Sequence, residues 1–141
     1  MKKLVVILMV GAFALAGCSS KKDSTDSASS DSATVSVPSL DAATFQSKII
    51  ERGVIVLDVR TAEEFKQNHI IDARNIDVES ADFDASISKL DKTVTYALYC
   101  QSGRRSAIAY TKMKTAGFLN LYNLDGGMTA WEAAGLPRVG N

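Results

Sequence analysis

The chain has 141 residues, 46% hydrophobic and 23% charged, which supplies one core and suits one folded domain better than two. Sixteen Lys and Arg balance sixteen Asp and Glu, so there is no basic excess for a nucleic-acid surface, and 7% aromatics are too sparse for base-stacking platforms. Two cysteines and one histidine, His69, exclude a four-ligand Cys/His zinc site and a disulfide-dense scaffold, and nothing implies a metal or an organic cofactor.

In chain order, residues 1–17 read as a lipoprotein signal peptide. Lys2 and Lys3 form a positive n-region ahead of an uncharged run over residues 4–16. That run is shorter than the ~20 apolar residues needed to cross ~30 Å of hydrocarbon. It ends in Leu15-Ala16-Gly17-Cys18, which resembles a bacterial lipobox, with Cys18 lipidated as the mature N-terminus. A plain signal peptide cut near Ala16 is the bland alternative. Lipid anchoring rests on acyl chains at about 0.8 kcal/mol per buried CH₂. It places the chain in the cell envelope, on the outer side of the cytoplasmic membrane or in the periplasm or outer membrane. Processing removes Lys2 and Lys3 from the 16 basic residues and none of the 16 acidic ones, for a mature net charge of −2. Cys100 is then the one free thiol, in a compartment where thiols tend to oxidise.

Residues 19–34 contain only Ser, Asp, Lys, Ala and Thr, so residues 18–34 read as a lipidated Cys with a disordered linker. As a flexible coil it spans ~20–25 Å. The folded unit is residues 35–141. Val35-Ser36-Val37 alternates like a short strand stopped by Pro38. Asp41 caps a helix running to Arg52, with Phe45, Ile49 and Ile50 on its apolar stripe and Gly53 ending it. Val54-Ile55-Val56-Leu57 has the continuous β-branched character of a strand buried on both faces. Thr61 and Glu64 form a capping box. Residues 73–76 read as a short strand. Residues 83–90 read as a helix with Phe83, Ile87 and Leu90 on one face. Residues 94–99 form a second buried strand. Residues 106–116 read as a helix with Ile108 and Met113 among its apolar positions, closed by Gly117. A third strand over 119–124 and a short helix over 128–134 complete the pattern. Strands alternating with helices demand an open, mostly parallel α/β sheet with right-handed crossovers.

The chemistry concentrates in one loop. The strand over 94–99 runs straight into Cys100-Gln101-Ser102-Gly103-Arg104-Arg105-Ser106, which opens the next helix. In open α/β sheets, sites lie beyond the carboxyl ends of the strands. Gly103 permits the turn, the loop N–H groups can converge as a nest, and the helix start adds partial positive charge. A cysteine there should be acidic and nucleophilic. Arg104 and Arg105 add charge for an anionic substrate. The bland reading makes Cys100 a small buried hydrophobe.

Four segments in order resemble the single-domain rhodanese family of sulfurtransferases: Leu57-Asp58-Val59-Arg60 with Glu63-Glu64-Phe65; His69-Ile70 with Ala73-Arg74-Asn75-Ile76; Tyr99 through Ser106, similar to Cys-x-x-Gly-x-Arg-Ser; and Leu124-Asp125-Gly126-Gly127-Met128-Thr129-Ala130-Trp131 with Gly135-Leu136-Pro137. The resemblance spans residues 35–138. It implies a mostly parallel five-stranded sheet flanked by helices on both faces. It also implies sulfur transfer from a small anionic donor such as thiosulfate, or from a persulfide, to a thiol or cyanide acceptor through Cys100. Asn68, Asp72 and Asp77 depart from the family's usual Gly, Gly and Pro and bear on turns near the pocket rim.

The resemblance makes Cys100 the catalytic residue. Gln101, Ser102, Gly103, Arg104, Arg105 and Ser106 then surround the substrate, with Arg60 a pocket-wall candidate. An Asp58–Arg60 pair fixing the loop is equally open. His69 reads as structural, Trp131 as core, and Glu63 and Glu64 as first-turn residues favoured by the helix dipole. Two other classes compete. A related-fold phosphatase needs Cys-x5-Arg, but Ser106 stands six after Cys100 and Arg105 five after, so the shorter ring of amides suits a sulfur or a small oxyanion end. A non-catalytic rhodanese-like binding module often lacks the loop cysteine, and this chain has it. The lipobox-like segment gives a direct expectation: Cys18→Ser moves the protein from the membrane fraction to the soluble one, or blocks maturation. A mutant processed normally and still sedimenting with membranes would refute the anchor.

Overall fold

The computed structural model describes residues 36–140; the expected signal peptide, Cys18 and linker lie outside the described residues. Strands β1 (Ser39–Leu40), β2 (Val54–Asp58), β3 (Asn68–Ile70), β4 (Arg74–Asn75), β5 (Thr95–Tyr99), β6 (Asn120–Leu124) and β7 (Arg138–Gly140) alternate with helices α1 (Ala42–Ile49), α2 (Ala62–Gln67), α3 (Phe83–Ile87), α4 (Arg104–Thr115) and α5 (Gly127–Ala133). Five strands form one sheet in the order β1-β6-β5-β2-β4. Every pairing in it is parallel.

The central strands β2 and β5 are mostly apolar because both faces of the sheet are covered. Side chains alternate between two cores. Leu57 and Leu98 pack on one face with Phe83 and Ile87 of α3 and Ala109, Tyr110 and Met113 of α4. Val56, Ala97 and Tyr99 pack on the other with Phe45 of α1 and Met128 and Trp131 of α5. The helix starts follow from local chemistry. Asp41 accepts from the Thr44 N–H at 2.9 Å. Thr61 and Glu64 cap each other's backbone, as their spacing foretells.

The structure corrects several boundaries. Ser36 and Val37 form no strand; pairing begins at Ser39, after Pro38, whose carbonyl accepts from the Asn123 N–H at 2.9 Å. Helix α3 stops at Ile87, and Leu90 packs on the core from the following turn. Helix α4 begins at Arg104, two residues earlier than the apolar pattern suggests, because Gly103 takes the left-handed conformation at φ +92° and turns the chain into it. Its buried face is Ser106, Ala109, Tyr110 and Met113; Ile108 lies off that stripe and is exposed. A two-stranded antiparallel sheet, β3 with β7, pairs His69 with Val139. Each of its strands has only three residues, too few to show a periodicity.

The helix α5 anchors the lower core through Trp131. Its side chain is 1% exposed, its ring meets Phe45 edge-on at 6.3 Å, and its indole N–H donates to the Pro137 carbonyl at 3.1 Å. Truncation leaves a large cavity and an unmet carbonyl. Trp131→Ala therefore lowers stability by about 3–5 kcal/mol, read as a shift in the urea unfolding midpoint at unchanged slope.

Candidate active site

The carboxyl ends of β2 and β5 lie side by side, with Asp58 opposite Tyr99. Arg60, two residues after Asp58, and Cys100, directly after Tyr99, are therefore delivered to the same edge of the sheet. Cys100 is 1% exposed, and it is the free cysteine among the described residues. The loop after it wraps its own sulfur. The Gly103 N–H donates to Sγ at 3.1 Å, and the Ser106 hydroxyl lies 3.5 Å from Sγ while also reaching the Gly103 carbonyl at 3.0 Å. Burial pushes the Cys100 thiol up. Against it, the Ser106 hydroxyl and the N–H groups of Ser106, Ser102 and Gly103 prevail and hold it below its ordinary value. The sulfur is placed to carry negative charge.

Two of the loop's carbonyls are held toward α5. The Met128 N–H donates to the Cys100 carbonyl at 2.8 Å, and the Thr129 N–H donates to the Gln101 carbonyl at 3.1 Å. The Thr129 hydroxyl donates to the same Gln101 carbonyl at 3.0 Å. The free donors at the start of α5 are thus satisfied by the loop. Such close approach requires Gly127, at φ +56°, where a Cβ would run into the Cys100 carbonyl and stand 2.8 Å from the Ser102 nitrogen.

Arg60 is 2% exposed, and all its guanidinium donors are engaged. It contacts the Asp58 carboxylate at 2.6 and 3.0 Å, the Asn68 carbonyl at 2.6 Å, the Asn68 side chain at 3.3 Å and the Gln101 Oε1 at 3.2 Å. Of the two readings left open for Arg60, the geometry has the Asp58–Arg60 pair: the guanidinium braces the pocket wall with its N–H groups engaged. Asn68 is one of the departures from the family pattern, and its amide continues the network by donating to Glu132 of α5 at 2.9 Å. Asp72 adopts φ +63°, the conformation that glycine favours, and Asp77 accepts from the Glu79 N–H to close its own turn.

Arg105 is also committed. It grips Glu64 through two contacts at 2.6 and 2.7 Å and approaches Glu79 at 3.4 Å. Its charged form is favoured by Glu64 above all, and the Cys100 thiolate adds to this, so Arg105 acts on the sulfur through its field. Arg104, the first residue of α4, is exposed and has no side-chain partner among the described residues. Gln101 and Ser102 are exposed at the mouth. His69 stacks on Phe65 at 4.0 Å with Nδ1 2.8 Å from the Phe65 carbonyl, consistent with a structural role. An open cavity of about 490 Å³ between α1, β2 and Pro137 includes neither Cys100 nor the arginines of the loop, so volume does not mark the chemistry here.

A buried-ended parallel sheet with a cysteine at the mouth of an amide nest defines a class, and the sequence profile of the Rhodanese-like domain matches residues 41–134. The chain belongs to the rhodanese-like family. It is 39% identical over 84 residues to the thiosulfate sulfurtransferase GlpE of Pseudomonas savastanoi, covering 59% of this chain and 76% of that protein. It is 38% identical over 86 residues to an uncharacterized protein of Synechocystis, covering 61% of this chain and spanning about half, 47%, of that relative's length. The crystal structure of a rhodanese-related protein from Thermoplasma volcanium superposes with a TM-score of 0.64 at 30% identity, over 72% of this chain and 97% of that one.

The Glu64–Arg105 pair has a pH signature. Arg105 holds the Glu64 carboxyl down at about 2 from an ordinary 4.5, against the opposing effect of burial. A lowered folded-state value stabilises the fold above the unfolded one and loses that contribution as pH falls through the folded one. Glu64→Gln keeps the capping geometry and removes the charge. At neutral pH it lowers stability by about 1 kcal/mol, a figure reduced for the 30% exposure of Glu64. The difference from the unmodified chain narrows between pH 4.5 and 2, as read from unfolding curves over that range.

Proposed function

We propose that this chain is a sulfurtransferase that carries sulfane sulfur as a persulfide on Cys100. The observation that carries the reading is a buried sulfur that accepts from the Gly103 N–H at 3.1 Å with the Ser106 hydroxyl at 3.5 Å, in a loop whose donors hold the thiol below its ordinary value. In the first half-reaction the Cys100 thiolate attacks the outer sulfur of thiosulfate. A new S–S bond forms, the donor's S–S bond breaks, and sulfite leaves with the bonding pair. The terminal S⁻ of the persulfide then lies among donors already oriented for negative charge, the oxyanion-hole device applied to sulfur. In the second half-reaction cyanide or a thiolate attacks that terminal sulfur and regenerates the Cys100 thiolate. No group in the cycle needs a general base, since the thiol is made acidic enough to supply its own thiolate.

Donor attraction falls to Arg104, because Arg60 and Arg105 are held by carboxylates. An exposed cation at the first turn of α4 favours a small dianion such as thiosulfate. A membrane-anchored setting, through Cys18 in the cell envelope, is part of the same proposal and rests on the lipobox-like sequence alone.

Incubation with thiosulfate adds the mass of one sulfur to the Cys100-containing peptide, and cyanide removes it with release of thiocyanate. Cys100→Ser abolishes both events and leaves the unfolding transition in place, since the two side chains differ little in volume. If neither thiosulfate nor a small-molecule persulfide leaves sulfur on Cys100 of the folded chain, the enzyme reading fails and a binding module becomes the better account.

A further inference from the structure

The loop is oriented by a hydrogen-bonded relay outside the sulfur's own contacts. It starts at Arg60, a buried cation clamped by Asp58. One Arg60 N–H donates to Gln101 Oε1 at 3.2 Å. Gln101 Nε2 in turn donates to the Thr129 hydroxyl oxygen at 3.2 Å. The Thr129 hydroxyl, its oxygen occupied by that donor, turns its one proton to the Gln101 main-chain carbonyl at 3.0 Å. The Thr129 N–H meets the same carbonyl at 3.1 Å. The peptide that receives both bonds joins Gln101 to Ser102 and directly precedes the one whose N–H, that of Gly103, donates to the Cys100 sulfur at 3.1 Å; the Ser102 N–H also favours the charged form of that sulfur. In a planar trans peptide, C=O and N–H point in opposite directions. Holding the Gln101 carbonyl toward α5 therefore aims the Ser102 N–H at the sulfur. A carbonyl that accepts two hydrogen bonds also polarises its own peptide and strengthens the N–H on the far side.

We propose that Gln101 and Thr129 are a positioning pair that sets the nucleophilicity of Cys100 by orienting and polarising the Gln101–Ser102 peptide. Neither side chain touches the sulfur. Gln101 is thereby assigned a structural partner at each end of its amide, and its place at the mouth of the site reflects that bracing. The inference rests on Cys100 being the nucleophile proposed above.

The test uses the full chain and iodoacetamide, with alkylation of Cys100 followed by peptide mass spectrometry across a pH series. Gln101→Met keeps the side-chain length and removes both amide contacts. Thr129→Val removes the hydroxyl and keeps the volume. In each, the midpoint of the rate–pH curve rises by half a unit or more, about a threefold loss of thiolate below the midpoint. The double variant shifts no further than either single one, because one relay is broken at two points. Thr129→Ser retains the hydroxyl and keeps the unmodified profile. The proposal is overturned if either single variant leaves the curve unmoved, if the two shifts add, or if Thr129→Ser shifts as far as Thr129→Val. Both positions are exposed, and should Gln101→Met fail to fold, the Thr129→Val and Thr129→Ser pair decides the question alone. Alkylation reads the thiolate without any sulfur transfer. A missing sulfur adduct in the unmodified chain therefore removes the enzyme reading, while an unmoved alkylation profile removes only the relay.

Discussion

Everything at this site depends on where the backbone groups of one loop point. The carbonyls of Cys100 and Gln101 are tied to the first amides of α5, at 2.8 and 3.1 Å. Once the Gln101 carbonyl faces α5, the Ser102 N–H of the same peptide faces the other way, and with the Gly103 N–H and the Ser106 hydroxyl beside it the buried sulfur becomes a favourable place for negative charge. A thiol transferred to the end of any apolar strand would lose acidity, because burial alone opposes ionisation. Here the amide donors outweigh that effect. The acidity of Cys100 is thus a property of the backbone that surrounds it, from the loop and the start of α4, more than of the cysteine.

The wall around the loop is built on carboxylate–guanidinium pairs that point away from solvent. Asp58 with Arg60 fixes the end of β2, and Glu64 with Arg105 ties the start of α2 to α4. Removing one partner of a buried pair leaves an uncompensated charge, which is far worse than never having had the pair. These arginines therefore serve stiffness first. Their charge still reaches the sulfur, but as a fixed field and not as a mobile ligand. Arg104 alone of the three stands in water.

Much of this was legible beforehand, and the limits have physical causes. The β-branched run of β2 and the apolar stretch of β5 announce a sheet covered on both faces. Asp41, Thr61 and Glu64 announce helix starts by side-chain chemistry that acts over three residues. The loop is readable because cysteine, glycine and the new helix follow one another without interruption. What escaped were features that depend on distant partners. Strands β3 and β7 are three residues each and exist only through each other, some seventy positions apart in the chain. The commitments of Arg60 and Arg105 require Asn68, Gln101 and Glu64 to be near, which no local pattern encodes. Thr129 sat inside a recognisable motif with no role, since its value lies in a carbonyl 28 residues away.

The pair Gly126-Gly127 carries a consequence for how substitution data on this chain should be read. Both residues have positive φ, and a Cβ on the first would lie 2.7 Å from Ala130 while one on the second would strike the loop backbone. Neither glycine holds a functional group, and neither reaches the sulfur by any side-chain atom. In an exhaustive substitution map they would nonetheless form a block of intolerance as severe as that at Cys100, because every other side chain pushes the cradle open. Intolerance here marks the mould as well as the nucleophile, and only a residue-resolved measure of thiol reactivity tells one from the other.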